Sequence, residues 1–182
     1  ITPSNPYDAK GLLKAAIRDD DPVLFMESER IYGDKGELPD GEYLLPIGKA
    51  AIAREGKDVT VVSFGKMMKV ALAASDELKK EGIDAEVIDL RTIRPMDHAA
   101  IINSVRKTNR LVVIDENWPV ASISSEIAYR VQKDAFDFLD APVLRINQAD
   151  TPLPFAPGLI EESLPSVTKV VRAVKEAMYL VK

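Results

Sequence analysis

Between Val59 and Lys182 the chain alternates short β-branched runs with amphipathic stretches, and this pattern limits the folds open to it more than any other feature. VTVVSFG (59–65), AEVIDLR (85–91), LVVIDEN (111–117) and PVLRINQ (142–148) are apolar runs of strand length. The first is followed by Met67, Val70, Ala71, Ala74 and Leu78 at helical spacing, with Gly82 as a stop. Asp97 is placed to cap a helix carrying Ile101, Ile102 and Val105, and Ser122 one carrying Ile123, Ile127, Val131 and Phe138. Pro165 suits the start of a last helix with Val167, Val170, Val174, Met178 and Val181 on one face. Strands that are apolar throughout and alternate with helices imply an α/β sheet covered on both faces.

Upstream the signal is weaker. Asn5 as cap, Pro6 in the first turn, and Leu12, Leu13, Ala16 and Ile17 predict an amphipathic helix that stops before Pro22. PVLFMES (22–28) reads as a buried strand, but one strand builds no sheet of its own. Residues 33–58 hold Gly33, Gly36, Pro39, Gly41, Pro46, Gly48 and Gly56 and read as a linker, with a brief strand at YLLP (43–46). The opening Ile1-Thr2-Pro3, in place of Met, suggests a piece of something longer.

Composition removes several chemistries. With no Cys among 182 residues there is no disulfide, thiolate metal site or catalytic thiol, and His98 alone cannot build a multi-His metal centre. A net charge of -5 does not favour nucleic acid. No apolar run reaches the ~20 residues of a membrane-spanning helix, and no leader pattern opens the chain.

The remaining candidates are incomplete. SFGKMMK (63–69) has one Gly and matches no phosphate-binding loop, so a tight strand-to-helix turn is favoured over an anion site. Asp19-Asp20-Asp21 fits a solvated turn better than a hard-cation loop. Asp115-Glu116 falls at the carboxyl end of a central strand, where α/β sites usually sit, but no second acid is visible to pair with it. His98 reads as structural, and Trp118-Pro119 as a core or rim element.

Longer stretches carry a resemblance: DAKGLLKAAIRDDDPV (8–23), LPIGKA (45–50), EVIDLRTIRPMD (86–97), KTNRLVVIDENWP (107–119), FLDAPVLRI (138–146) and TPLPFA (151–156). From about residue 2 to its end the chain resembles the beta subunits of the thiamine-diphosphate-dependent 2-oxo acid dehydrogenases, within the wider transketolase-like group. RTIRPMD resembles the pyruvate and acetoin members more than the branched-chain one, and argues against a deoxyxylulose phosphate synthase. The resemblance implies a remnant of the pyrimidine-binding domain over 1–32, a linker over 33–58 and a transketolase C-terminal domain over 59–182. That last domain is expected to be a three-layer α/β/α sandwich with a five-stranded mixed sheet, its fifth strand drawn from the linker or from 151–156. An assembly module standing alone is the competing reading, against which the helix and strand at 8–28 count.

Several expectations follow from the resemblance alone. The activating Glu and catalytic His of such subunits would precede Ile1, and the alpha subunit would hold thiamine diphosphate and Mg²⁺, leaving no catalytic residue here. A structural K⁺ site carries over in part to Ala16, Ile17, Asp19 and Asp21, with Asp21 standing where Asn is usual. Partners implied are the alpha subunit, a second beta subunit in an alpha2-beta2 heterotetramer, and the subunit-binding domain of the dihydrolipoyl acyltransferase. Asp140 would meet this last partner, with Asp134 and Asp137 completing an acidic patch. The location would be cytoplasmic in a bacterium and the mitochondrial matrix in a eukaryote.

Overall fold

The structure, a computed structural model, describes residues 1–181. Five strands form one sheet in the order β1-β3-β2-β4-β5: β1 (Ala51–Arg54), β2 (Val59–Ser63), β3 (Ala85–Asp89), β4 (Leu111–Ile114) and β5 (Leu144–Ile146). β2 pairs in parallel with both β3 and β4, and β4 with β5, while β1 lies antiparallel on β3.

Alternation along the strands divides the core in two. Val59, Val61, Val87, Val112 and Ile114 face α2 (Met67–Lys80) and α6 (Val167–Ala177), which contribute Ala71, Leu78, Val170 and Val174. Val62, Ile88, Leu111 and Val113 face α3 (His98–Thr108) and α4 (Ile123–Ala135), which contribute Ile101, Val105, Ile127 and Val131. This is the three-layer sandwich with a five-stranded mixed sheet that the resemblance implies. The sequence caps hold. The side chains of Asp97 and Ser122 accept from the amides of Ala100 and Ser125. Gly82, at φ +82, follows α2 in the left-handed conformation that suits a residue without Cβ.

The fifth strand is Ala51–Arg54, inside the stretch read as linker, and neither 43–46 nor 151–156 forms one. Its Gly56 explains the course of the chain: a Cβ there would lie 2.3 Å from both the Ala85 carbonyl carbon and the Glu86 nitrogen. Only a glycine lets the turn from β1 into β2 pass so close to β3. α4 stops at Ala135, and Phe138 belongs to a separate 3-10 turn, Phe136–Phe138. α6 ends at Ala177, short of Val181, and a short helix, α5 (Pro157–Ser163), was not foreseen.

At the N-terminus α1 (Pro6–Ile17) forms as its Asn5 cap predicts. Residues 22–28 are extended but form no strand. Their backbone bonds instead run to Ile1, whose carbonyl accepts from the Met26 amide at 2.8 Å. A buried-strand composition needs a sheet edge to join, and β1 already occupies the edge of β3. Leu12, Ile1 and Leu45, with Val23, Phe25, Tyr43 and Ile47 around them, make a small satellite core.

Candidate functional site

The carboxyl end of the parallel strands is where α/β domains bind ligands, and there β2, β4 and β5 open onto a cavity of about 500 Å³. Its walls include Gly65, Lys66, Glu116, Asn117, Trp118 and Gln148. Gly65 turns the chain from β2 into α2 at φ +54, as the tight-turn reading of SFGKMMK requires. The Lys66 ammonium, which lines the cavity, is ion-paired with the Glu116 carboxylate.

Asp115 is fully buried, and its carboxylate is spent on the backbone. It accepts from the Asn117 amide (3.0 Å), the Asn117 side chain (2.8 Å) and the Ser124 amide (3.1 Å). It thereby fixes the 116–121 loop and the start of α4, where a negative charge suits the helix dipole. The Trp118 indole donates to the Thr151 carbonyl at 2.9 Å, and the Asn147 side chain to the Asn117 carbonyl at 3.1 Å. The two loops at this edge are thus tied to each other. Trp118 remains half-exposed on the rim.

His98 opens α3 and is partly buried. The Asp97 carboxylate beside it caps the helix and also accepts from the Ala50 amide at 3.2 Å, which anchors the start of β1.

The expected cation ligands lie at the end of α1 and in the turn after it. Ala16 offers its carbonyl to the Asp19 amide at 3.4 Å, and Asp19 its carboxylate to the Asp21 amide at 3.0 Å. Asp19 and Asp21 border a cavity of about 660 Å³ with Val23, Ile93, Arg94 and Pro95. Ile17 is exposed. Among the described residues no group of three or more His, Cys, Asp or Glu side chains converges.

Asp134, at the end of α4, and Asp137, in the turn that follows, are exposed. Asp140 is half-exposed and paired with Arg110 at 3.3 Å. Its backbone carbonyl accepts from the Tyr179 hydroxyl at 3.0 Å. The Arg106 guanidinium lies 5.2 Å over the Phe138 ring. The surface at this amino end of the sheet is therefore of mixed charge, with Phe136, Phe138 and Tyr179 exposed around the acids.

Sequence reasoning missed two buried ionic groups on β3. Glu86 is ion-paired with Lys107 and accepts from the Gly56 amide at 3.4 Å. Asp89 and Asp8 sit either side of Arg91, with Ser4 and Asn5 completing a polar cluster. The signal was present, since two carboxylates inside the apolar run AEVIDL are buried whichever way the strand faces. Their partners, Lys107 at 21 residues from Glu86 and Ser4 at 85 from Asp89, were not legible.

Comparison with known proteins agrees with this architecture. The family model of the transketolase C-terminal domain matches residues 48–170, and the chain belongs to that family. It is 53% identical over 180 residues to the pyruvate dehydrogenase E1 component subunit beta of Rhizobium meliloti, covering 98% of this chain and 39% of that one. The beta-1 mitochondrial counterpart from Oryza sativa subsp. japonica is 52% identical, over 98% of this chain and 49% of that one. The acetoin:2,6-dichlorophenolindophenol oxidoreductase subunit beta of Bacillus subtilis is 49% identical, over 98% and 52%. Among solved structures, a split-gene transketolase described as an inactive beta4 tetramer superposes with TM-score 0.80 at 25% identity, over all of this chain and 58% of that one. The chain spans about half the length of the relatives it matches. These relatives include bacterial and mitochondrial proteins.

Proposed function

We propose that the chain is part of the beta subunit of a pyruvate dehydrogenase component, and that it serves assembly and docking rather than bond-making. The observation that carries this reading is the state of the sheet's carboxyl edge. Of the groups best placed for chemistry there, Asp115 is buried and bonded to the Asn117 and Ser124 amides, and Glu116 is ion-paired with Lys66. Identity of about one residue in two with pyruvate dehydrogenase beta subunits, along nearly the whole chain, supplies the enzyme. Enzymes of this family depend on thiamine diphosphate, which when bound would stabilise the negative charge that decarboxylation of a 2-oxo acid leaves behind. The intact enzyme would pass the acetyl group to the acyltransferase's lipoyl groups. No residue described here is assigned to cofactor or Mg²⁺.

The domain reading is kept: 1–32 as the end of a pyrimidine-binding domain, 33–58 as a connection that also donates the edge strand, and 59–182 as the C-terminal domain. A K⁺ at Ala16, Ile17, Asp19 and Asp21 would need further ligands from outside these residues. The partners are the alpha subunit, a second beta subunit in an alpha2-beta2 assembly, and the acyltransferase's subunit-binding domain at Asp134, Asp137 and Asp140. The location is the cytoplasm in a bacterium or the mitochondrial matrix in a eukaryote. The Bacillus relative favours one second reading, an acetoin dehydrogenase beta subunit.

The test is the full-length subunit assembled with an alpha subunit and given pyruvate, acetoin or a branched-chain 2-oxo acid, with an artificial electron acceptor. Thiamine-diphosphate-dependent oxidation of pyruvate with the highest kcat/KM is expected. A preference for acetoin replaces this reading with the second. The 182-residue chain alone, titrated calorimetrically with thiamine diphosphate and Mg²⁺, is expected to give no saturable heat, and a micromolar isotherm would overturn the non-catalytic role.

A further inference from the structure

The first helix is held to the end of β3 by a cluster whose charges do not balance. Asp8, in the first turn of α1, is 1% exposed and takes both ends of the Arg91 guanidinium, Nε on Oδ2 at 3.0 Å and Nη2 on Oδ1 at 2.6 Å. Its Oδ2 also accepts from the Asn5 side chain at 3.0 Å. Asp89, the last residue of β3, is 2% exposed and receives no side-chain nitrogen. Its partners are the Ser4 hydroxyl and the Arg91 backbone amide, the latter at 3.0 Å. Two buried carboxylates thus share one guanidinium, and the guanidinium is turned to Asp8. Burying an ion without a bonded counter-charge is costly, and a proton is the cheapest remedy.

Among the described residues no charged group of another element, Lys35 and Lys69 included, makes a hydrogen bond or ion pair with Asp89. Asp89 borders a cavity of about 440 Å³ with Asp34 and Lys35 from the 33–58 stretch and Lys69 from α2. Lys69 is committed to Asp34 at 2.6 Å. The strand neighbours of Asp89 are Ala51 on β1 and Ser63 on β2, and the Ser63 hydroxyl donates to the Ile114 carbonyl instead.

We propose that Ser4, Asp8, Arg91 and Asp89 form a proton-linked clasp, in which uptake of one proton by Asp89 tightens the docking of the N-terminal segment on the α/β sandwich. On the sandwich itself the segment is also held by the Thr2 amide on the Arg91 carbonyl at 2.8 Å, while its other ties run to the 33–58 stretch: the satellite core around Leu12, the Tyr7–Tyr43 stack at 4.7 Å, the Leu45 amide on the Gly11 carbonyl at 3.3 Å, the Tyr43 hydroxyl on the Tyr7 carbonyl at 2.8 Å and the Arg18–Glu42 ion pair. The titration accords with the geometry. Burial pushes the Asp89 carboxyl up and Asp8 adds to it, while Ser4 and Arg91 pull it down, and the net holds it at about 6 against an ordinary 3.8. A pKa raised on docking means that the docked form binds the proton more tightly. Docking therefore strengthens as pH falls through 6 and levels off below about 4.

The experiment follows Asp89 by its carboxyl ¹³C resonance in the full chain, and measures amide exchange of α1 as protection factors, which remove the intrinsic pH dependence of exchange. A midpoint near 6 is expected, with α1 about tenfold better protected at pH 5 than at pH 7.5. Asp89→Asn can keep both contacts, accepting from the Arg91 amide and donating to the Ser4 oxygen, and its α1 protection is expected to be flat over that range. Ser4→Ala removes a donor that favours the carboxylate, so its Asp89 midpoint is expected above that of the wild type. A midpoint within about one unit of the ordinary carboxylate value, or a pH dependence of α1 protection that survives Asp89→Asn, would overturn the clasp.

Discussion

Glu86 and Asp89 stand three residues apart on β3, point to opposite faces of the sheet, and answer acid in opposite senses. Burial raises the Glu86 pKa, but hydrogen bonds led by that from the Lys107 ammonium outweigh it, and the net shift is downward. Its stabilisation is therefore present at neutral pH and is lost as pH falls through the lowered pKa. Asp89 is shifted upward to about 6, so its cost is present above pH 6 and disappears below about pH 4. Urea unfolding between pH 4.5 and 7.5 is expected to separate them. Asp89→Asn should gain ~1–3 kcal/mol at pH 7.5, since each pKa unit is worth about 1.4 kcal/mol, and little at pH 4.5. Glu86→Gln should lose ~1–3 kcal/mol at pH 7.5, the usual range for a hydrogen bond to a charged group, and less in acid. Parallel pH profiles for the two variants would contradict this assignment. Both carboxylates were legible in the sequence as charges inside an apolar run. The sign of each was not, because it depends on whether the partner is an ammonium from α3 or a hydroxyl from the first residues of the chain.

Elements differ in how openly the sequence declares them. β2, β3 and β4 are buried at every position, so composition alone marks them, and each following helix carries its own cap or stop. β1 carries no such mark. It is a four-residue edge strand, exposed at Ile52 and Ala53, and only its pairing with β3 makes it a strand. Residues 22–28 are the converse, apolar enough for a strand but unpaired with the sheet, with Leu24 and Met26 exposed. Gly56 is where sequence and element meet, since it was read as a linker interruption and proves to be a packing requirement. Gly56→Ala would drive a methyl group into backbone atoms 2.3 Å away, which cannot rotate aside. A loss of about 2–3 kcal/mol is expected, at the upper end for overpacking, seen as a lower urea midpoint with an unchanged slope. An unchanged midpoint would show that the β1–β2 turn can move off β3.

At the scale of the whole molecule, large apolar side chains stand exposed at both ends of the sheet: Trp118, Val120 and Phe155 beyond the carboxyl ends of β4 and β5, and Phe136, Phe138 and Tyr179 at the amino end. Patches of this kind mark contact surfaces more often than accident. The amino end is the one proposed for the acyltransferase's subunit-binding domain, and its electrostatics set how strong that contact can be. The resemblance places Asp140 at that contact, and if its carboxylate were buried there against a basic group, removing its charge would weaken binding tenfold or more. The free chain already pairs Asp140 with Arg110 at 3.3 Å, with more than half of the Asp140 side chain open to water. A basic partner would have to share that carboxylate with Arg110, and an exposed pair is worth at most ~1 kcal/mol. Asp140→Asn is therefore expected to weaken binding of the purified subunit-binding domain about threefold to fivefold, not tenfold. Exposed charges are screened beyond about 8 Å at physiological ionic strength, so raising the salt should shrink the difference between wild type and variant. The measurement is titration calorimetry at two salt concentrations. Equal binding at low salt would move the contact away from Asp140. A loss well beyond tenfold would mean that Asp140 exchanges Arg110 for a buried partner on binding, which Arg110→Ala would reveal by strengthening the wild-type contact.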